Sequence, residues 1–250
     1  MEITVATYNI QHGRYFEEYL RSGNEVSSIS YIRRFLAQRR VDICALNEVV
    51  EDKLGQTWGQ QTREIAEGLD GYYYEFAGAI AAHGGDYGNA IVSRFPIRSI
   101  RTYPIAVPSE KRHAIGRRYE DRVLLSATLA TPAGMLTVLI SHFGLLPDEA
   151  ELAAERVLSV AESISGPILL MGDFNLTPNT EIYQRLCERF KDSADVLRSQ
   201  PLTFPSDLPN SKIDYVFTGG SCRALWSEVV DVRYSDHRPI LARIELDEES

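Results

Sequence analysis

Cysteine is scarce in this chain: Cys44, Cys187 and Cys222 are its only three, odd in number and far apart. They form no CxxC or Cys/His cluster, which argues against both a zinc site and a disulfide framework. Cys44, inside an apolar run, reads as a small core residue. A reducing, cytoplasmic setting is the expectation. Long hydrophobic runs are missing too. No stretch approaches the roughly 18 apolar residues of a membrane helix, so no stable membrane insertion is expected. The opening MEITVATYNI has no basic n-region and no small-residue cleavage site, which predicts no signal peptide. Positive charge is also short: 26 Lys and Arg stand against 35 Asp and Glu, a net charge of −9. General polyanion binders are usually basic, so this balance weighs against one. It leaves open a small phosphorylated substrate, or nucleic acid gripped through one local basic patch with divalent metal supplying the missing charge. No GxSxG or comparable context marks a Ser or Cys nucleophile.

What is present is a large apolar fraction, 44% of 250 residues, enough for a substantial core. Apolar, β-branched runs predict strands at residues 3–9, 42–49, 72–77, 89–93, 98–105, 122–131, 135–142, 168–172, 213–218, 224–232 and 239–245. Helical spacing appears at Ile29, Ile32, Phe35 and Leu36, and more briefly at Ile65, Ala66 and Leu69. A longer helix starts after Pro147, with Asp148, Glu149 and Glu151 at its positive end, and stops at Gly166-Pro167. A weaker helical segment spans 180–189. Strands outnumber helices and do not alternate with them one for one, which predicts an α+β arrangement rich in hairpins. No linker interrupts the pattern, so residues 1–246 read as one domain and 247–250 as a short acidic, disordered tail. Residues 15–24 and 81–88 read as loops, and Trp58 and Trp226 as core.

Polar clusters close several of the apolar runs: Asn9, Glu48, Asp173-Phe174-Asn175, Asp214 and Ser235-Asp236-His237. Strand ends can hold carboxylates, amides and an imidazole rigidly toward one point. Acidic oxygens, amides and one His are the parts of a hard-metal phosphoester site. In order, YNI, NEV, SHF, GDFN, IDYVF and SDHRP resemble the motif series of the endonuclease/exonuclease/phosphatase superfamily, the deoxyribonuclease-I-like phosphoesterases. The resemblance runs from residue 3 to about residue 245. It implies a four-layer α/β/β/α sandwich of two packed mixed β-sheets, with the site on the loops at one edge.

By that resemblance Glu48, Asn9 and Asp236 surround a Mg²⁺ or Mn²⁺ ion, which prefers oxygen ligands and keeps several waters. Asp173 orients or deprotonates the attacking water, and Asn175 holds a phosphoryl oxygen or that water. His237 contacts the scissile phosphate while Asp214 fixes its tautomer and favours the imidazolium. His142, where the family has His or Tyr, is a phosphate ligand and candidate general acid. Asn89 matches a pocket-lining position. His12, just past Asn9, and Arg112, in the one basic run (Lys111, Arg112, His113, Arg117, Arg118, Arg122), are candidates for substrate contact. Arg122 beside Glu120 also reads as a structural ion pair. Phe174 reads as packing.

The expected function is metal-dependent hydrolysis of a phosphodiester or phosphomonoester by direct attack of water. The expected substrate is a phosphorylated small molecule, nucleotide or lipid headgroup, with no obligate protein partner. The alternatives are a DNA endonuclease or exonuclease of the same superfamily, and an inactive binding relative, which commonly loses a metal ligand or the Asp/His pair. Neither is lost here.

Overall fold

The protein is described by a computed structural model covering residues 1–52, 58–111, 119–197 and 201–247. Arg112, His113, Arg117 and Arg118 of the basic run, and residues 248–250 of the acidic tail, lie outside the described residues. In chain order the first elements are β1 (Glu2–Asn9), α1 (Phe16–Ser22), α2 (Ile29–Gln38) and β2 (Ile43–Glu51). They are followed by α3 (Gln61–Glu67), β3 (Tyr73–Ala82), β4 (Gly85–Ser93), β5 (Ile97–Ile105), β6 (Arg122–Thr131) and β7 (Gly134–Ser141). The remainder are α4 (Pro147–Glu162), β8 (Ile168–Asp173), α5 (Glu181–Cys187), β9 (Lys191–Asp192), β10 (Asp214–Gly219), β11 (Cys222–Val229) and β12 (Ile240–Leu246).

Strand residues alternate between two buried faces. On β1, Ile3 and Val5 face one core while Ala6 and Tyr8 face another; on β2, Ile43 and Ala45 oppose Cys44 and Leu46 in the same way. Burial on both sides is why these strands read as near-continuous apolar runs. They assemble into two six-stranded mixed sheets, ordered β11-β12-β1-β2-β4-β3 and β5-β6-β7-β8-β10-β9. The parallel pairs are β1–β2 and β7–β8; the other pairings are antiparallel.

The central core, with Val5, Ile91, Leu125, Val138, Met171 and Val216, lies between the sheets. Outside one sheet, α2 and α3 bring Ile32, Phe35, Leu36 and Ile65 against Tyr8 and Leu46. Outside the other, α4 sets Ala153, Ala154 and Val157 against Leu139, Phe174 and Phe217. Each fully buried Leu, Ile or Phe contributes about 1.5–3 kcal/mol relative to exposure. The result is the α/β/β/α sandwich expected from the sequence.

Several local readings need correction. Residues 15–24 are not a plain loop but contain α1, which buries none of its side chains and so carries no apolar stripe to betray it. Residues 81–88 are the tip of the β3–β4 hairpin, turning at His83-Gly84. Trp226 is 41% exposed on the edge strand β11, and Trp58 is only half-buried. The two-residue β9 is too short to leave a period.

The topology brings the polar clusters together. Parallel strands β1 and β2 end at one edge of their sheet, and β12, antiparallel to β1, begins there. In the other sheet β7 and β8 end at the matching edge and β10 begins there, with Asp214 paired to Asp173. Six strand ends thus converge on one rim.

Candidate active site

The rim is shaped by backbone that sequence alone does not reveal. On β2 the pairing steps from Leu46↔Ala90 to Val49↔Gly88, so Asn47 and Glu48 together oppose Asn89. That extra residue is a β-bulge, which re-aims side chains. Glu48 sits there at φ +57°, and Asn175, after β8, at φ +50°. Left-handed backbone at non-glycine residues costs of order 1–3 kcal/mol and clusters where function over-determines the structure.

Asn47 was missed in the sequence, although it directly precedes the predicted ligand Glu48. Fully buried, it joins the two sheets beneath the site. Its Oδ1 accepts from the Asp173 backbone N–H at 2.9 Å, and its Nδ2 donates to Asn89 Oδ1 at 2.8 Å and to the Ser141 carbonyl at 3.3 Å. Asn89 in turn donates to the Val123 carbonyl at 2.8 Å. Asn89, matched to a pocket-lining position, is only 2% exposed; its amide is engaged on both sides and ties β4 to β6 of the opposite sheet. Gly172, at φ +145°, lets this junction close: a Cβ there would fall 1.9 Å from the Ser141 carbonyl oxygen and 3.2 Å from Asn47 Oδ1. Gly172→Ala is expected to destabilise the fold by about 3 kcal/mol or more, since strain and a backbone clash add. A urea midpoint equal to the unmodified protein would contradict it.

Above this junction lies a chain of side chains. Asp173, 1% exposed, accepts from Asn9 Nδ2 at 2.9 Å on Oδ2 and from the Asn175 N–H at 2.9 Å on Oδ1. Asn9 Nδ2 also reaches Glu48 Oε1 at 3.1 Å, and its Oδ1 accepts from the Gln11 N–H at 3.0 Å. Asn9, expected beside a cation, therefore stands in this structure as a donor between two carboxylates. His237 Nδ1 lies 2.9 Å from Asp214 Oδ2, and its Nε2 faces Asp173 Oδ2 at 3.6 Å. Asp236 Oδ2 accepts from Gln11 Nε2 at 2.8 Å, a partner that nothing in the sequence marked.

Protonation follows from these surroundings. Burial alone would lower His237, but Asp214, Asp173 and Asp236 outweigh it and push it up to about 10. It is an imidazolium at neutral pH. Burial raises the Asp173 carboxyl to about 7, with the Asp214 charge adding and His237 and Asn9 opposing. Asp236 is raised to about 6, first by burial and then by the charge of Glu48, against His237. His142 moves the other way: burial, Arg122 and His237 hold it well below its usual value. Arg122 Nη1 lies 3.3 Å from His142 Nδ1, and a guanidinium only donates, so Nδ1 is the acceptor and the proton sits on Nε2. That Nε2–H stands 3.3 Å from Asn175 Nδ2, 3.6 Å from Asp173 Oδ2 and 3.9 Å from Glu48 Oε1. Two donors side by side, from His142 and Asn175, form a pocket for an anionic oxygen. Arg122 also pairs with Glu120 at 3.3 Å, as its spacing suggested.

Four carboxylates (Glu48, Asp173, Asp214 and Asp236) thus face one imidazolium and the Arg122 charge behind His142. Burial first, and then the neighbouring Glu48 charge, disfavour the ionised form of Asp236. That surplus of hard oxygen donors fits a divalent cation. The tightest set of ligand atoms is Asp173, Asp214 and His237, within 4.8 Å of one another. Yet His237 is protonated and bonded to Asp214, and a protonated imidazole cannot ligate. The Glu48 and Asp236 side, with Glu48 about a quarter exposed at the lip, is the better cation seat.

His12 lies apart from this chain. Its ring stacks on His83 at 4.1 Å and meets Trp58 edge-on at 5.1 Å, and burial lowers it to about 4. It is only 5% exposed and lies near enough to Glu48 to feel its charge.

The sequence matches the Endonuclease/Exonuclease/phosphatase family over residues 6–237, and the chain belongs to that family. Its members are generally divalent-metal-dependent hydrolases of phosphoester bonds, acting on phosphorylated substrates such as nucleotides or nucleic acids. No curated protein matches the sequence at a significant level. Among solved structures, an endonuclease/exonuclease/phosphatase from Bacteroides vulgatus superposes with a TM-score of 0.79 at 20% identity, covering 99% of this chain and 100% of that one. A mannosyl-6-phosphatase from Bacteroides thetaiotaomicron gives 0.74 at 20% identity, covering 98% and 100%. The human nocturnin catalytic domain with bound sulfate gives 0.71 at 16%, covering 98% and 93%. These likenesses show the shared fold. Among the described residues, no helix is long and apolar enough to cross a membrane.

Proposed function

We propose that the protein is a Mg²⁺- or Mn²⁺-dependent phosphoesterase that hydrolyses its ester by direct attack of water. The observation that carries this reading is the run Asp214–His237–Asp173, charged and buried, facing the two donors His142 and Asn175 across the Glu48 lip. Asp173 is a base poised near neutrality, where a general base works best. Its Oδ2 faces Asn9 Nδ2 at 2.9 Å and the Nε2 atoms of His142 and His237 at 3.6 Å each, and in this reading it orients the attacking water. His237, charged by its aspartates, binds a non-bridging oxygen, and Asn175 Nδ2 and the neutral His142 Nε2–H bind another. These preorganised donors stabilise charge that grows in the transition state. A cation held by Glu48 and Asp236 would polarise the phosphoryl oxygen and neutralise developing charge.

In this reading His142 is a phosphate ligand. As a neutral imidazole it is a weak acid, so solvent water supplies the proton to the leaving oxygen. The acidic surface supports a small phosphorylated substrate over duplex DNA. Likeness in fold to a mannosyl-6-phosphatase is consistent with that choice.

The test is hydrolysis of 4-nitrophenyl phosphate, bis(4-nitrophenyl) phosphate and abasic duplex DNA in Mg²⁺ and in Mn²⁺. Activity is expected on the small esters, lost with a chelator and restored by either metal. Glu48→Ala is expected to lower it by about a thousandfold, a loss of the size seen when one group aimed at developing charge is removed. Activity that survives both treatments would refute the reading.

A further inference from the structure

Beyond the phosphoryl site, the rim continues into a groove of about 660 Å³ that no part of the hydrolytic chemistry uses. Asn175 lies in its wall, so the groove opens directly off the place assigned to the phosphoryl oxygens. Its other walls come from the two segments that follow the strand ends β7 and β8. Leu145 and Leu146 come from the first, and Leu176 from the second, with Ile182 added by α5. Leu145, at the rim of the groove, is 76% exposed. The volume falls within the range of small-molecule pockets, which run from about 300 to 1,000 Å³.

The charge around the groove selects against a second anion. Asp148, Glu151 and Glu181 border it, and among the described residues the lining contains no Lys or Arg. Among the described residues, Lys111 holds Asp148 at 2.8 Å and Arg185 holds Glu151 at 2.7 Å, so these two cations are engaged. A nucleic-acid backbone or a polyphosphate laid along these walls would meet carboxylates. An uncharged apolar group would meet Leu and Ile.

We infer that this groove is a substrate subsite for an apolar alcohol: the ester hydrolysed here carries a hydrocarbon chain that lies along Leu145, Leu146, Leu176 and Ile182 while its phosphate rests against Asn175. The inference rests on the phosphoesterase reading for the position of the phosphate and narrows it to an amphiphilic monophosphate or diester.

The probe is a series of n-alkylphosphonates, methyl to octyl, which do not hydrolyse. Their binding to the full chain in Mg²⁺ is measured by calorimetry. Each added methylene is expected to tighten Kd by roughly threefold to fourfold until the groove is filled. Leu145→Asp and Ile182→Asp should flatten that dependence and leave the methylphosphonate Kd unchanged. Because Leu145 is exposed, its substitution does not threaten folding, and Leu145→Ala should give an intermediate slope. A flat series in the unmodified protein overturns the inference, and so does a slope that survives both aspartate variants. Hydrolysis of bis(4-nitrophenyl) phosphate by the same preparation separates the two readings. A flat series with active enzyme removes the groove alone. A steep series, lost in Leu145→Asp, in a protein that hydrolyses nothing removes the phosphoesterase reading and leaves the groove.

Discussion

His237→Ala is expected to lower kcat/KM for phosphoester hydrolysis by about a thousandfold, the loss typical of removing one preorganised donor from developing charge. The side chain is 5% exposed and its ring meets Phe204 at 4.8 Å, so circular dichroism of the variant is the control that separates lost chemistry from lost fold. Asp214→Asn is the more instructive companion. Asp214 is the leading opponent of the burial that would otherwise neutralise His237. Removing its charge lets the imidazole deprotonate at lower pH. With His237 raised to about 10, activity in the unmodified enzyme should hold until the pH approaches that value, then fall. In Asp214→Asn the falling limb should move toward neutrality, with a loss of about 10–100-fold at pH 7, the usual cost of an outer partner that orients a site residue. An alkaline limb unchanged in Asp214→Asn would show that the 2.9 Å contact does not set the charge of His237.

Asp173→Asn is expected to cost about 10²–10⁴-fold in kcat, the share typically carried by a positioned general base. Stability gives a second readout. The Asp173 carboxyl is raised from an ordinary value of 3.8 to about 7, so the folded chain disfavours its ionised form. Its contribution to stability is fully present below 3.8 and is lost as pH rises through about 7. His237, raised from 6.5 to about 10, acts with the same sign at higher pH: its contribution is present below 6.5 and lost toward 10. The metal-free protein should therefore unfold at lower urea concentration at pH 8 than at pH 5. Asp173→Asn should show a shallower decline over that interval. Equal declines in the two proteins would count against a buried, ionisable Asp173.

Near-continuous apolar runs such as ITVATYN and ILLMG, buried on both faces, and the one-faced stripe Ile29–Ile32–Phe35–Leu36 made most strands and α2 legible. The element α1 was not legible, for it buries nothing. Glu48, Asp173, Asn175, Asp214 and His237 stood out because polar residues closing apolar runs are conspicuous. Asn47 and Gln11 did not, since an amide that serves by bridging to a residue 126 or 225 positions away leaves no local mark. The bonds of Asn89 were illegible for the same reason: its partner Val123 belongs to the opposite sheet.

By itself the sequence determined which residues lie inside and which kinds of atoms gather at strand ends, because hydrophobic period and chain polarity act within a few residues. Only the tertiary structure decided which protons those atoms hold and where a substrate could extend. The neutral His142 under Arg122, the charged His237 between two aspartates, the bulge that turns Glu48 outward and the apolar groove off Asn175 all arise between segments far apart in the chain. Electrostatic fields and burial depend on distance in space, and that distance exists only once the two sheets have packed.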